Sequence, residues 1–294
     1  MSRLYETLRR IEMQRRKSDA AHIESLQPVE LLNSVMTEPA AKAEGPSAQV
    51  KVSESSRLVA LTDPKSLGAE KFRALVARLQ NLRQKGELKS LQITSAVVNE
   101  GKSLVAANLA VTLVKHWGYK VLLVEGDLHR PTLGTLLGLT DLEGINQWWC
   151  KREEGNRIAH YIYRLNDTSL SFLSAGSAHD QPAEILQSAR FAETFVRLVG
   201  GFDWVVVDST PMSPVVDTNL WSRLVDGTLL VVREGVAPIK ALKIGVSGLD
   251  NPKWLGIVVN DASEFDRVNY TDQYYGVKAQ ENWPENDKKS KAVK

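Results

Sequence analysis

The chain has little that could staple it, span a bilayer or give it a dominant charge. Its one cysteine, Cys150, cannot form an internal disulfide, which excludes a disulfide-stapled scaffold. The longest nearly apolar run, Leu104 to Val114, is 11 residues long and is interrupted by Asn108 and Thr112. A bilayer-spanning helix needs about 20 residues, so no crossing segment is expected. The start, Met1-Ser-Arg-Leu-Tyr-Glu, lacks the apolar stretch of a secretory signal, and a cytoplasmic location is the expectation. Lys and Arg number 37 against 35 Asp and Glu, a net charge of +2. That balance argues against a dedicated nucleic-acid binder. Internal repeats are not evident. What is present is globular: 294 residues, 43% hydrophobic and 24% charged, enough for one large domain or two small ones with a sizeable core.

The modest basicity lies at the front. Residues 1–17 carry six basic and two acidic residues, a net of +4, while residues 263–294 carry six of each sign. Leu4, Leu8 and Ile11 fall on one face of a predicted helix with arginines on the others. Such a helix could lie on an anionic membrane, dock on a partner, or pack on its own domain. Residues 18–56 lose periodicity and gather Pro39, Gly45, Pro46 and several serines, which is linker composition. From Leu58 onward short apolar runs alternate with helical periods. Strands are predicted at Leu91, Val121, Leu170, Trp204, Thr228 and Leu255, and helices over Gly101–Trp117, closed by Gly118, and Pro182–Leu198, closed by Gly200-Gly201. Continuously apolar short strands are those buried on both faces of a parallel sheet, so an α/β fold is expected over 58–262. Residues 263–294 read as a mobile tail.

Thr94-Ser-Ala-Val-Val-Asn-Glu-Gly-Lys-Ser103 joins the first of these strands to a helix. Strand, loop, Gly-Lys-Ser and helix wrap backbone N–H groups round a phosphate, because the helix N-terminus offers free donors and a favourable dipole. Asn99, Glu100, Gly101, Lys102, Ser103 and Leu104 are the candidate nucleotide-binding residues. Lys102 would reach the phosphates and the Ser103 hydroxyl would meet Mg²⁺. Ala96 stands where the full pattern has glycine. Asn99 sits where a positive φ is often needed, and asparagine tolerates it best among non-glycine residues. Val205-Val-Val-Asp208 places a second Mg²⁺-side carboxylate at a strand end, unless Asp208 is a helix cap. Val121-Leu-Leu-Val-Glu-Gly-Asp127 offers Glu125 and Asp127, two residues apart and so expected to address one site, unless both are solvated loop acids.

These stretches resemble the bacterial tyrosine kinases of capsule and exopolysaccharide loci, the CpsD/CapB type. The resemblance spans about Met1 to Asp261. It is carried by Gly101-Lys-Ser, by Val121-Leu-Leu-Val-Glu-Gly-Asp-Leu-His-Arg-Pro, and by Phe202-Asp-Trp-Val-Val-Val-Asp-Ser-Thr-Pro followed by Asp217. Ser174-Ala-Gly176, Gln181-Pro-Ala-Glu-Ile-Leu, Val225-Asp-Gly-Thr-Leu-Leu-Val-Val-Arg, Leu255-Gly-Ile-Val-Val-Asn260 and the start Ser2-Arg-Leu-Tyr-Glu-Thr-Leu-Arg-Arg match as well. The resemblance implies a P-loop NTPase-like, mostly parallel sheet flanked by helices. It also implies an autokinase that moves the γ-phosphate of ATP, with Mg²⁺, onto tail tyrosines of a neighbouring subunit.

Carried over by position, Lys102, Glu125, Asp127 and Asp208 are the catalytic set, with Glu125 in the place of a base-like aspartate. Ser103, Asp127 and Asp208 would hold the metal. Tyr270, Tyr274 and Tyr275 are the candidate phosphoacceptors, unless they are packing anchors. Glu70 and Arg73 begin a Glu-x-x-Arg-x-x-Arg oligomerisation pattern that Val76 breaks; simple surface pairing would explain the first two equally well. The implied partners are a membrane polysaccharide co-polymerase or chain-length determinant, further copies of the chain and a cognate tyrosine phosphatase. Other departures are Gly126, His129 for an arginine, and Val98-Asn99 for Pro-Gly. They leave open a nucleotide-binding regulatory subunit with weak or no kinase activity, or a positioning ATPase similar to the MinD/ParA group.

Overall fold

The computed structural model describes residues 45–52, 56–86, 88–151, 153, 155–177, 181–212, 216–249 and 253–262. The predicted N-terminal helix and the tail tyrosines Tyr270, Tyr274 and Tyr275 lie outside the described residues.

Eight strands form one sheet: β1 (Ser47–Ala48), β2 (Ser90–Ser95), β3 (Val121–Glu125), β4 (Ile162–Leu165), β5 (Leu170–Leu173), β6 (Trp204–Asp208), β7 (Gly227–Arg233) and β8 (Trp254–Asn260). Their order is β1-β4-β5-β3-β6-β2-β7-β8, and every pairing is parallel except the β4–β5 hairpin. The helices are α1 (Val59–Thr62), α2 (Leu67–Lys85), α3 (Lys102–Trp117), α4 (Leu133–Leu136), α5 (Ile145–Cys150), α6 (Pro182–Gln187), α7 (Ala189–Gly201), α8 (Asp217–Leu224) and α9 (Ile239–Gly248).

Side chains alternate across the pleat, so the central strands supply two cores. Val121 and Leu123 of β3, with Trp204 and Val206 of β6, join α2 and α3 on one face. Leu122 and Val124, with Val205 and Val207, join α7 and α8 on the other, round Phe191, Phe195 and Trp221. Both faces are therefore covered, and the continuous apolar runs follow from that.

Three expectations are revised. Residues taken as linker contribute β1, which pairs with β4; the Asn166 N–H also donates to the Ala48 carbonyl. The single helix expected over Pro182–Leu198 is two, because Ser188 adopts an extended backbone and its hydroxyl accepts from the Phe191 N–H as a new N-cap. Strand β4 escaped notice because Asn166 and Asp167, at φ 49° and 52°, turn the chain straight back into β5. No helix among the described residues is long and apolar enough to cross a membrane.

Candidate active site

The site forms where β2, β3 and β6 end. In a parallel sheet these carboxyl ends share one edge, and a ligand sits in the crevice beyond it. The loop after β2 is shaped by Asn99, at φ 65°, and by Gly101, at φ 90°, which begins α3. A Cβ at Gly101 would collide with the Asn260 side chain, so the turn requires glycine. The first N–H groups of α3 have no intrahelical acceptor and remain available to an anion.

Glu100, a candidate ligand residue, does different work with its side chain. It is fully buried: Oε2 accepts from the Val97 N–H at 2.8 Å and Oε1 from the Arg233 N–H at 3.1 Å, while its carbonyl accepts from Asn260 Nδ2 at 2.8 Å. Glu100 therefore braces the loop. Leu104 packs partly against the core, and its carbonyl accepts from Asn108 Nδ2. Asn99 is exposed at the loop's tip.

Lys102, Asp127 and Asp208 are brought together. The Lys102 ammonium lies 3.5 Å from Asp127 Oδ2 and 3.7 Å from Asp208 Oδ1, with the Ser103 hydroxyl 3.5 Å away. Asp208 is 1% exposed, and burial pushes its carboxyl up to about 6 although Lys102 and the Ser103 hydroxyl pull the other way; Asp127 and Glu125 add to the rise. Its Oδ1 is buried without a hydrogen-bond partner. Asp127 is oriented by the Arg130 N–H, which donates to Oδ1 at 3.0 Å.

An orphaned buried carboxylate oxygen beside a second carboxylate and a hydroxyl is a donor set suited to Mg²⁺. Among the described residues no three His, Cys, Asp or Glu side chains form a dedicated metal cluster. Mg²⁺ arriving with phosphates needs one or two carboxylates rather than a full protein cage, so the residues present fit the ion.

Glu125 lies opposite Asp208 in the β3–β6 register, and its charge is felt there, while both of its oxygens are held by the fold. Its Oε1 accepts from the Gly134 N–H at 3.0 Å, and its Oε2 accepts from the Ser174 hydroxyl and the Ala175 N–H, both at 3.1 Å. β3 ends at Glu125, so strand alternation does not carry on from it to Asp127. Gly126 between them is fixed by the backbone: its N–H donates to the Asp208 carbonyl at 2.8 Å and its carbonyl accepts from Trp221 Nε1 at 3.0 Å. Glu125 itself lines a cavity of about 470 Å³, with Gly134, Thr135, Gln147, Ser174 and Ser177.

The pair His129–Asp217, 3.1 Å apart, was not foreseen as a contact. Burial raises the Asp217 carboxyl above the ordinary range against the pull of His129. Trp221 and Asn260 were also missed as shaping residues; their signal was positional, within stretches whose apolar pattern alone explained them. The oligomerisation candidates sit on α2, where Arg73 Nη1 donates to the Pro64 carbonyl at 2.9 Å. Val76, three residues on, is fully buried.

No family model matches the sequence. The chain is 30% identical over 223 residues to tyrosine-protein kinase YwqD of Bacillus subtilis, covering 75% of this chain and 92% of that one. It is 31% identical over 229 residues to the succinoglycan biosynthesis transport protein ExoP of Rhizobium meliloti, covering 74% of this chain and 28% of ExoP. The crystal structure of the chimerical protein CapA2B2 superposes with a TM-score of 0.64 at 28% identity, covering 79% of this chain and 98% of that one. The match runs over nearly the whole length of YwqD, and the chain belongs to the bacterial tyrosine-protein kinase family.

Proposed function

We propose that this chain is an ATP- and Mg²⁺-dependent tyrosine autokinase of exopolysaccharide or capsule production, with Tyr270, Tyr274 and Tyr275 as acceptors on a neighbouring copy. The observation that carries the reading is the Lys102 ammonium held between Asp127 and Asp208 at the start of α3. In that arrangement the lysine is already desolvated and has two carboxylates to leave. A phosphate at the helix N-terminus would be met by the Lys102 ammonium, and Asp127 and Asp208 would be the carboxylates left to hold a cation.

Mg²⁺, when bound, would supply positive charge against the phosphates. Asp208, with Oδ1 unpartnered, and Asp127 would hold that ion together with the Ser103 hydroxyl. The loop supplies backbone N–H groups, and Glu100 and Asn260 fix its shape beforehand. Phosphoryl transfer asks for charge stabilisation and in-line placement more than for covalent help, and the site is built from those elements. ExoP and YwqD, by their names, support the polysaccharide and kinase parts of the reading. The reading places the chain at the cytoplasmic membrane face through a membrane polysaccharide co-polymerase, in a homo-oligomer reversed by a cognate phosphatase.

The test is incubation of the full chain with MgATP, with and without the cytoplasmic segment of its membrane partner, followed by phosphotyrosine immunoblot and mass mapping. Phosphate on Tyr270, Tyr274 or Tyr275 that disappears in Lys102→Met is the expected result. Nucleotide binding without phosphotyrosine in either arm refutes the kinase reading. One observation favours a second reading, a regulatory nucleotide-binding subunit: the carboxylate at the base-like position, Glu125, already accepts three hydrogen bonds from the fold.

A further inference from the structure

Glu125 stands at a junction. A carboxylate offers about four lone-pair positions, and here three take hydrogen bonds from Gly134, Ser174 and Ala175, with the residue 2% exposed. Gly134 belongs to α4, and Ser174-Ala175 follow β5. The same segment carries α5, because the Ile145 and Asn146 N–H groups donate to the carbonyls of Ser174 and Ala175 at 2.9 and 3.0 Å. Gly134, Ser174 and Gln147 are walls of the cavity of about 470 Å³. One buried carboxylate therefore ties together three segments that enclose one space.

The position of that space follows from strand order. The phosphate loop leaves β2, Asp208 ends β6, and Glu125 ends β3, with β6 between β2 and β3. The cavity lies on the β3–β5 side, across Asp208 from the loop. A hydroxyl approaching a nucleotide held at Lys102 from the side opposite the loop comes through this space.

We infer that Glu125 is a positioning residue that holds the walls of the acceptor-side cavity, and that it does not take the phenolic proton. The inference rests on the kinase reading above and assigns a role within the same site. Side-chain length supports it. An aspartate here would withdraw the carboxylate by about 1.5 Å, one C–C bond, and lose its reach to Gly134 and Ala175. A proton acceptor must also present a lone pair to the incoming hydroxyl, and three of Glu125's four are directed at the fold, which leaves at most one toward the cavity it lines.

The full chain is compared with its Glu125→Gln, Glu125→Asp and Ser174→Ala variants. A synthetic peptide of residues 263–294 serves as acceptor and a fluorescent ATP analogue as nucleotide probe. Glu125→Gln, which keeps length but sets an amide NH2 against the Gly134 or the Ala175 N–H, is expected to raise KM for the peptide while kcat stays within about tenfold of the parent. Glu125→Asp is expected to raise KM for the peptide about tenfold or more with little change in kcat, and to leave nucleotide affinity unchanged. Ser174→Ala, which removes one donor and leaves Glu125 in place, should raise the same KM to a smaller extent. Backbone amide exchange at Gly134 and Ala175 should accelerate in Glu125→Asp.

A loss of more than about 100-fold in kcat for Glu125→Gln at unchanged KM, with Glu125→Asp as active as the parent, overturns the inference. Unchanged exchange at both amides in Glu125→Asp overturns it as well. If the parent chain transfers no phosphate, the kinase reading has failed by itself, and amide exchange still decides whether the clamp exists.

Discussion

Asp208 carries the clearest pH signature in the molecule. Its carboxyl is raised from 3.8 to about 6 in the folded chain, chiefly by burial. Between those values the folded state holds a proton that the unfolded state has lost, so the contribution of Asp208 to stability is fully present below about pH 4 and is lost as pH rises through 6. A shift of this size corresponds to about 3 kcal/mol. Urea melts of the ligand-free chain should show Asp208→Asn flattening that decline between pH 4 and 7. Affinity for the Mg²⁺ nucleotide should run the opposite way, rising through pH 6 as Asp208 ionises, and titration calorimetry at both ends of the range checks it. Gly126→Ala is a second test. The added Cβ would come within 2.7 Å of Val207 Cγ1 and 3.0 Å of both the Asp208 carbonyl and Trp221, so a loss of about 2 kcal/mol is expected by chemical denaturation.

Legibility differed residue by residue at the site. Lys102, Ser103 and Asn99 could be read because a short local pattern dictates their backbone, and Asn99 indeed adopts the positive φ. The destinations of Glu125 and Glu100 could not be read. Each is decided by donors distant in sequence, at Gly134, Ser174 and Ala175 for one and at Arg233 for the other.

Among the elements, α2 has the most direct consequence. It is capped by Ser66, whose hydroxyl accepts from the Ala69 N–H at 3.2 Å, and it turns Val76 into the core. The arginine of the related oligomerisation pattern would bury a charge there. Val76→Arg is therefore expected to cost about 3 kcal/mol or more and to lower the melting temperature, and a thermal melt beside size-exclusion chromatography will distinguish unfolding from new assembly. The helices and central strands of this fold were legible because apolar periodicity reports burial. The break at Ser188 and the β4–β5 hairpin were not, since capping and turn chemistry there replace periodicity over only a few residues. Removing the Ser188 hydroxyl should cost about 1 kcal/mol, readable in urea as a lower midpoint with an unchanged slope.

Across the whole molecule, the sheet's first edge is made by the chain that precedes the apolar domain. Beyond its pairing with β4, the Val50 N–H donates to Asn166 Oδ1 at 2.7 Å, and the Lys51 N–H donates to the Leu137 carbonyl at 3.2 Å. A domain begun at residue 58 should melt below one begun at residue 45, because β4 loses its neighbour and becomes an exposed edge. Gly138 permits the crossing: at φ 69°, any Cβ on it would strike the Lys51 carbonyl. Lys51 is thus fastened to the end of α4, the helix whose other end Glu125 holds. This gives the molecule a mechanical load path. Tension on the chain ahead of Gly45 is borne first by β1 and Leu137, a few residues from the cavity wall, so a pull on the front of the protein reaches the cavity that Glu125 lines before it reaches the loop after β2.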